Sequence, residues 1–219
     1  MPQALSRTYF QQPDTVLLAR ELLGCKIAVT GADGELTTGI IVETEAYAGI
    51  KDKACHSYNA RRTNRTQTMY APGGVAYVYL CYGIHHLLNI VTGKEDEPEA
   101  VLIRALEPVS GIDVMLRRRG MKQLSNRVTA GPGCLTQALG IDRSYDGFPV
   151  DVPPIVIYPP GESQTAQASD RKEISSGSRV GVAYAGKDAL LPWRFWLSGN
   201  PYVSKAKGVQ PSDLRATDK

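Results

Sequence analysis

The sequence predicts a largely antiparallel α+β domain, and two observations carry that reading. Helical and strand-like segments are mixed along the chain without the regular alternation that a parallel sheet with crossover helices requires. Strand-like runs also follow one another through short turns, "GADG" at 31–34 and Tyr82-Gly83, as hairpins do.

Taken in order, "QPDTVLLARELLGCKI" predicts an amphipathic helix. Asp14 or Thr15 is placed to cap it, Val16, Leu17, Ala19, Leu22 and Leu23 form its apolar face, and Gly24 stops it. Residues 25–30 and 36–47 read as the two strands of the first hairpin. In the second of these, Ile41, Glu43, Glu45 and Tyr47 share one face by simple alternation. Residues 48–73 lack periodicity and are expected to form a long ordered loop, a feature that in a compact domain is usually functional. "GVAYVYLC", "IHHLLNIV" and "AVLIRALEP" are three further strands, the last with Arg104 inside it. A helix follows over 112–119, ended by Gly120, then a short helix in "GPGCLTQALG" entered through glycines, a backbone shape suited to meeting an anion. Residues 159–178 are polar and Pro/Ser-rich and are read as a surface excursion or a linker. Strands are expected to resume in "RVGVAYAG" and "RFWLSG". A single domain is expected over 1–205, with 206–219 a polar, frayed tail.

The composition, 42% hydrophobic and 21% charged over 219 residues, is that of a globular chain with enough length for a sizeable core. No apolar run approaches the ~18 residues of a membrane span, and the start lacks a secretory signal pattern, so a soluble protein is expected. Cys25, Cys55, Cys81 and Cys134 are scattered and form no CxxC pair, which favours buried thiols in a reducing compartment over a zinc site. The net charge of +3 excludes little, but "RRTNR" and "RRRG" are local basic clusters. Charge alone leaves two readings of them open, solvated surface and phosphate contact.

Glu43 and Glu45 carry the sharpest question. On one strand face their Cα atoms lie roughly 6.5–7 Å apart. An edge strand wetted on that face accommodates such a pair without consequence. Against that, Ile41 and Tyr47 share the face and the neighbouring strand runs are apolar. A carboxylate against such walls is pushed toward the range useful for general-base work. Tyr47, Tyr70, Tyr77, Tyr79, Tyr82 and His56 crowd into fewer than forty residues. They suit half-buried packing, and equally a stacking cleft for a nucleobase, where each stacked base is worth about 1–3 kcal/mol. Tyr82 sits where a tight turn normally carries Asn, Asp or Ser. Either it packs under another element or it is a wedge of the kind that enters DNA base steps.

These residues carry a resemblance. "VETEAYAG…H", "YVYLCYGIHHLLNIV", "VLIRALEP", "GPGCLTQALGI", "RVGVAYAG" and "RFWLSGNPYVS" occur in an order that resembles the alkyladenine (3-methyladenine) DNA glycosylase family, from about Arg20 to Ser204. The resemblance implies a single mixed domain with a curved antiparallel core, surrounding helices and a protruding β-hairpin that enters the DNA minor groove. It implies excision of alkylated or deaminated purines by hydrolysis of the N-glycosidic bond, with no metal, no cofactor and no lyase step. Glu45 falls on the family's general base, and Arg104 and the backbone carbonyl of Val180 fall where the attacking water is held. Tyr47, His56 and Tyr79 fall on the rings that sandwich the flipped base, with the backbone N–H of His56 reading its edge. Tyr82 falls on the residue that fills the gap in the duplex, and Asn89 on the side chain that disfavours guanine. Glu43 has no such counterpart and is expected to be structural, a partner for a nearby arginine. His85 and His86 depart from the family pattern after the wedge, and the 56–69 loop is slightly longer than in mammalian members. The partner implied is double-stranded DNA holding damaged purines, met by a monomer with no membrane association in a bacterial cytoplasm. Two rivals remain: a lesion-binding protein without turnover, and a hydrolase of free nucleosides using Glu43 and Glu45 as an acid–base pair.

Overall fold

The computed structural model of the chain describes residues 3–161 and 173–214. The first helix, α1 (Thr15–Glu21), is capped as expected: the Asp14 side chain accepts from the Leu17 N–H at 2.9 Å. Leu18, Ala19, Leu22 and Leu23 are its buried face, while Leu17 is exposed, one residue out of phase with the sequence reading. Gly24, at φ +85°, turns the chain into β1 (Lys26–Thr30) and β2 (Leu36–Tyr47).

The remaining strands are β3 (Ala76–Cys81), β4 (His85–Thr92), β5 (Glu99–Ser110), β6 (Asp151–Val152), β7 (Ile155–Tyr158), β8 (Ile174–Gly177) and β9 (Arg194–Leu197). Two further helices, α2 (Ile112–Arg118) and α3 (Pro132–Leu139), lie between β5 and β6 in the chain. Every pairing among the described strands is antiparallel, in the order β3-β4-β5-β2-β1-β7-β6, with β9 joined to β2 and β8 to β9. The fold is thus the α+β domain with a curved antiparallel sheet that the sequence implies.

The sheet curls because β2 changes partner along one edge. Leu36–Ile40 pair with β1, whereas Glu43–Glu45 pair with β9, and β5 covers the opposite edge throughout. β2 is therefore an interior strand, and the wetted-edge reading of its two glutamates fails. Leu18, Leu22, Ile41, Val42, Leu88, Ile103, Met115 and Leu135 join one core between the sheet and all three helices. Each such side chain contributes about 1.5–3 kcal/mol on burial.

Three parts of the chain differ from expectation. "RVGVAYAG" is not a strand: after Gly181 (φ +75°) the chain winds into a 3₁₀ segment, Ala183–Leu190, which Gly186 kinks. β6 and β7 lie in "DVPPIVIYPP", where the prolines hide a strand signal, and β8 is too short and polar to be seen in the 159–178 segment. Most of that segment, 162–172, lies outside the described residues. The third difference is at the C-terminus. Val209 is buried, its N–H donates to the Arg179 carbonyl at 3.0 Å, and Arg194 donates to the Ala206 carbonyl at 2.8 Å. The segment beyond 205 packs against the domain at least as far as Val209, held by these hydrogen bonds and by the Val209 side chain, which joins a buried apolar cluster with Ala54, Val182, Ala185 and Ala189.

Candidate active site

Between Ile41 and Thr44 the β2–β5 ladder slips, so that Ile41 faces Leu106, Glu43 faces Ala105 and Thr44 faces Ile103. One extra residue on each strand, Val42 and then Arg104, is left between the paired positions. Bulges of this kind re-aim side chains, and here the result is a buried charge cluster. Arg104 Nε donates to Glu43 Oε1 at 2.7 Å and its Nη1 lies 3.2 Å from Glu45 Oε1. Arg194 Nε donates to the same Glu43 oxygen at 2.8 Å.

The two glutamates are equally buried but differently used. Glu43 accepts from Arg104, Arg194 and both the N–H and hydroxyl of Ser204. Burial pushes its carboxyl up, but the two guanidinium groups outweigh burial and hold it below the ordinary range. Its oxygens are fully engaged by the protein, as fits a structural anchor. Glu45 accepts from the Val180 N–H on one oxygen and the Tyr47 hydroxyl on the other, each at 2.8 Å. Its surroundings are hydrogen-bond donors rather than the apolar walls expected from the sequence. The contact with Val180 is made by its N–H, on the other side of that residue from the carbonyl the resemblance points to.

Tyr47, Arg104 and Val180, the three groups around the Glu45 carboxylate, all line a cleft of about 580 Å³. His56, Tyr77, Tyr79, Tyr82 and Asn89 line it as well. A volume of that order accommodates a purine nucleoside. The centroids of His56 and Tyr79 are 4.6 Å apart in an edge contact, so a base cannot enter between these two rings. They line the cleft together, and Tyr47 lines it as well. Burial, then the nearby Arg65 and Arg61, push the His56 imidazole down to about 4, so it is neutral at pH 7; its Nδ1 lies 3.0 Å from the Tyr77 hydroxyl. Asn89 stands where β4 parts from β5, its amide donating to the Tyr77 carbonyl at 3.1 Å.

Beyond Asn89 the β3–β4 hairpin leaves the sheet. Its tip is Tyr82-Gly83 with φ +50° and +74°, a left-handed pair that twists the hairpin tightly and is uncommon for a large side chain. Tyr82 is 87% exposed and Ile84 72% exposed. Of the two readings the sequence left open for Tyr82, burial under another element is excluded. α3 braces the hairpin from one side: the Thr136 hydroxyl donates to the His86 carbonyl at 2.6 Å, and a Cβ on Gly133 would collide with the His85 ring at 2.7 Å.

Sequence reasoning missed two contributors. Arg65, within the basic cluster "RRTNR", lines the cleft with its guanidinium 5.0 Å from the Tyr79 ring centre. Arg179 is fully buried against Tyr47; its only signal was its place just before Val180 in "RVGVAYAG". Among the described residues no group of three His, Cys, Asp or Glu side chains converges as metal ligands, and no helix is long and apolar enough to cross a membrane.

Residues 8–201 match the family Methylpurine-DNA glycosylase (MPG). Relatives named "Putative 3-methyladenine DNA glycosylase" include one from Oceanobacillus iheyensis, 44% identical over 203 residues, covering 93% of this chain and 96% of the relative. One from Chlamydia abortus is 45% identical over 194 residues (88% and 97%), and one from Bacillus licheniformis is 44% identical over 203 residues (93% and 97%).

Proposed function

The chain belongs to the methylpurine-DNA glycosylase family and is a 3-methyladenine DNA glycosylase of base excision repair, and we propose that Glu45 is its general base. The observation that supports this role is the contrast between two buried carboxylates. Glu43 is saturated by two arginines and Ser204, while the donors to Glu45 are themselves groups of the cleft wall.

The chemistry follows from that placement. A duplex hides the glycosidic bond, so the damaged nucleotide is turned out of the stack at a cost of a few kcal/mol. Tyr82 fills the gap, and Tyr47 on one side with His56 and Tyr79 on the other holds the base, which together offset the cost. As the base leaves, positive charge grows on the sugar; the Glu45 carboxylate stabilises it and accepts the proton of the attacking water. Arg104 fixes the carboxylate and faces the cleft beside it. Asn89 stands at the floor where a guanine amino group would meet it. Cationic purines such as 3-methyladenine and 7-methylguanine leave with their charge already in place, while neutral hypoxanthine needs more help from the cleft. Wedge, cleft and carboxylate all come from one chain, which supports action as a monomer, and the bacterial relatives support a cytoplasmic enzyme working on duplex DNA.

The test uses duplexes carrying one hypoxanthine, one 3-methyladenine or one 7-methylguanine, and an undamaged control, with alkali to reveal abasic sites. Excision by the wild type that Glu45→Gln loses while still binding DNA supports the assignment. Tight lesion binding by the wild type without excision of any of these purines would point instead to a lesion-binding protein.

A further inference from the structure

Arg179 is among the largest fully buried side chains of the molecule, and nothing in the chemistry above uses it. Its guanidinium carbon lies 4.9 Å from the centre of the Tyr47 ring and 5.1 Å from that of Trp193, so one cation lies over both rings. Both terminal nitrogens pair with the Asp52 carboxylate, one at 2.8 Å, and they also donate to the carbonyls of Ala46 at 2.9 Å and Asp188 at 3.0 Å. Asp52 in turn accepts from the N–H groups of Ala48 and Ala54, fixing the turn that leads to His56. The next residue in the chain, Val180, donates to Glu45.

One buried cation thus touches the segments that carry Tyr47, His56 and the Glu45 carboxylate. Among the described residues Arg179 Nε is buried without a hydrogen-bond partner. That cost is accepted although a methionine or leucine of similar volume would fill the space without it, and buried ion pairs are commonly no more stabilising than such replacements. The geometry supports a different use, because a planar guanidinium supplies stacking on two faces and a bidentate edge at once.

We infer that Arg179 is a positioning residue for base capture: it holds the Tyr47 ring at the angle at which it stacks on an extruded purine, and keeps Val180 in register with Glu45. The inference rests on the functional reading above. Arg179 is too buried to touch DNA itself, so it acts only through Tyr47 and Val180.

The experiment compares Arg179→Lys, which keeps the charge but loses the plane and the fork, with the wild type. A duplex carrying 2-aminopurine reports extrusion by its fluorescence, and hypoxanthine excision is measured at saturating enzyme well below the unfolding temperature. The expected result is at least a tenfold drop in both the extruded fraction and the single-turnover rate, with affinity for undamaged duplex unchanged. In a Tyr47→Leu background the same substitution should no longer alter extrusion. A lysine variant that melts earlier yet extrudes and excises like the wild type overturns the inference, since loss of stability alone gives that pattern. Should Arg179→Lys fail to fold, Trp193→Leu removes the second ring that Arg179 lies over, and Trp193 does not line the cleft. Ring-flip rates of labelled tyrosine then decide by NMR: faster flipping of Tyr47 with weakened extrusion supports the role, and wild-type values of both overturn it. That readout needs no catalysis, so failure of the enzyme to excise any purine would strike the functional reading and leave this test standing.

Discussion

The Tyr47 hydroxyl donates to Glu45 Oε2 at 2.8 Å across two residues of one strand, so the ring proposed to stack on the base also orients the carboxylate proposed to activate water. Burial, with the charge of Glu45 next, pushes the Tyr47 phenol well above its ordinary value, which keeps the proton on the tyrosine and the hydrogen bond charge-assisted.

Tyr47→Phe keeps the stacking ring and removes the donor. A hydrogen bond to an ionised group is worth about 1.5–3 kcal/mol. Single-turnover excision should therefore fall roughly 10- to 100-fold. Lesion affinity should stay within about twofold because the ring remains. Equal losses in both would mean that the hydroxyl does not serve Glu45.

Tyr82 at 87% exposure contributes little to the fold. Tyr82→Ser should leave the unfolding free energy within about 0.5 kcal/mol of wild type. If Tyr82 is the proposed wedge, the variant should nevertheless lower affinity for a lesion duplex by about tenfold or more, because nothing would then fill the gap in the stack. Competition binding against undamaged duplex checks this.

Glu43 bonds to two arginines and Ser204 in the buried interior. Glu43→Gln leaves the arginines short of a charge and should cost about 3–5 kcal/mol. For a chain of this size that is a melting temperature lower by roughly 10 °C. The pH dependence has a definite sign. The folded carboxyl sits below its ordinary value, so its stabilisation is present above the ordinary carboxylate range and is lost as pH falls through it. Thermal melts from pH 7 to pH 3 should therefore be steeper in the wild type than in the variant.

His56 offers an independent test by titration. Its imidazole, ordinarily at 6.5, is held down to about 4 by burial and by Arg65 and Arg61. NMR should show no His56 inflection between pH 6 and 7. Between pH 6.5 and about 4 the unfolded chain takes up the proton first, so stability falls with pH across that window. His56→Gln removes that part of the acid dependence. A His56 midpoint near 6.5 would mean that the imidazole is not enclosed in the cleft wall.

Much of this architecture is legible in local pattern. The cap at Asp14, the "GADG" hairpin, the strands from Ala76 to Ser110 and the helix in "GPGCLTQALG" each announce themselves within a few residues, because caps, turns and alternation are short-range properties. "RVGVAYAG" shows where this fails. Its apolar alternation looks like a strand, but two left-handed glycines and the demands of holding Val180 against Glu45 override it. Within the site, the chain by itself determined which residue types were present and that Glu43 and Glu45 share a face.

The tertiary structure decided how differently the two glutamates are held. Arg104, Arg194 and Ser204 are 61, 151 and 161 residues from Glu43, and their convergence depends on two strand bulges and a packed C-terminal segment that no local pattern records. It likewise decided that Tyr82 stands in solvent and that Arg179 lies over two rings. The physical reason is one of range. Turn and strand preferences act over a few residues, whereas the partner of a buried charge is set by whichever distant segment folding brings within about 3 Å of it.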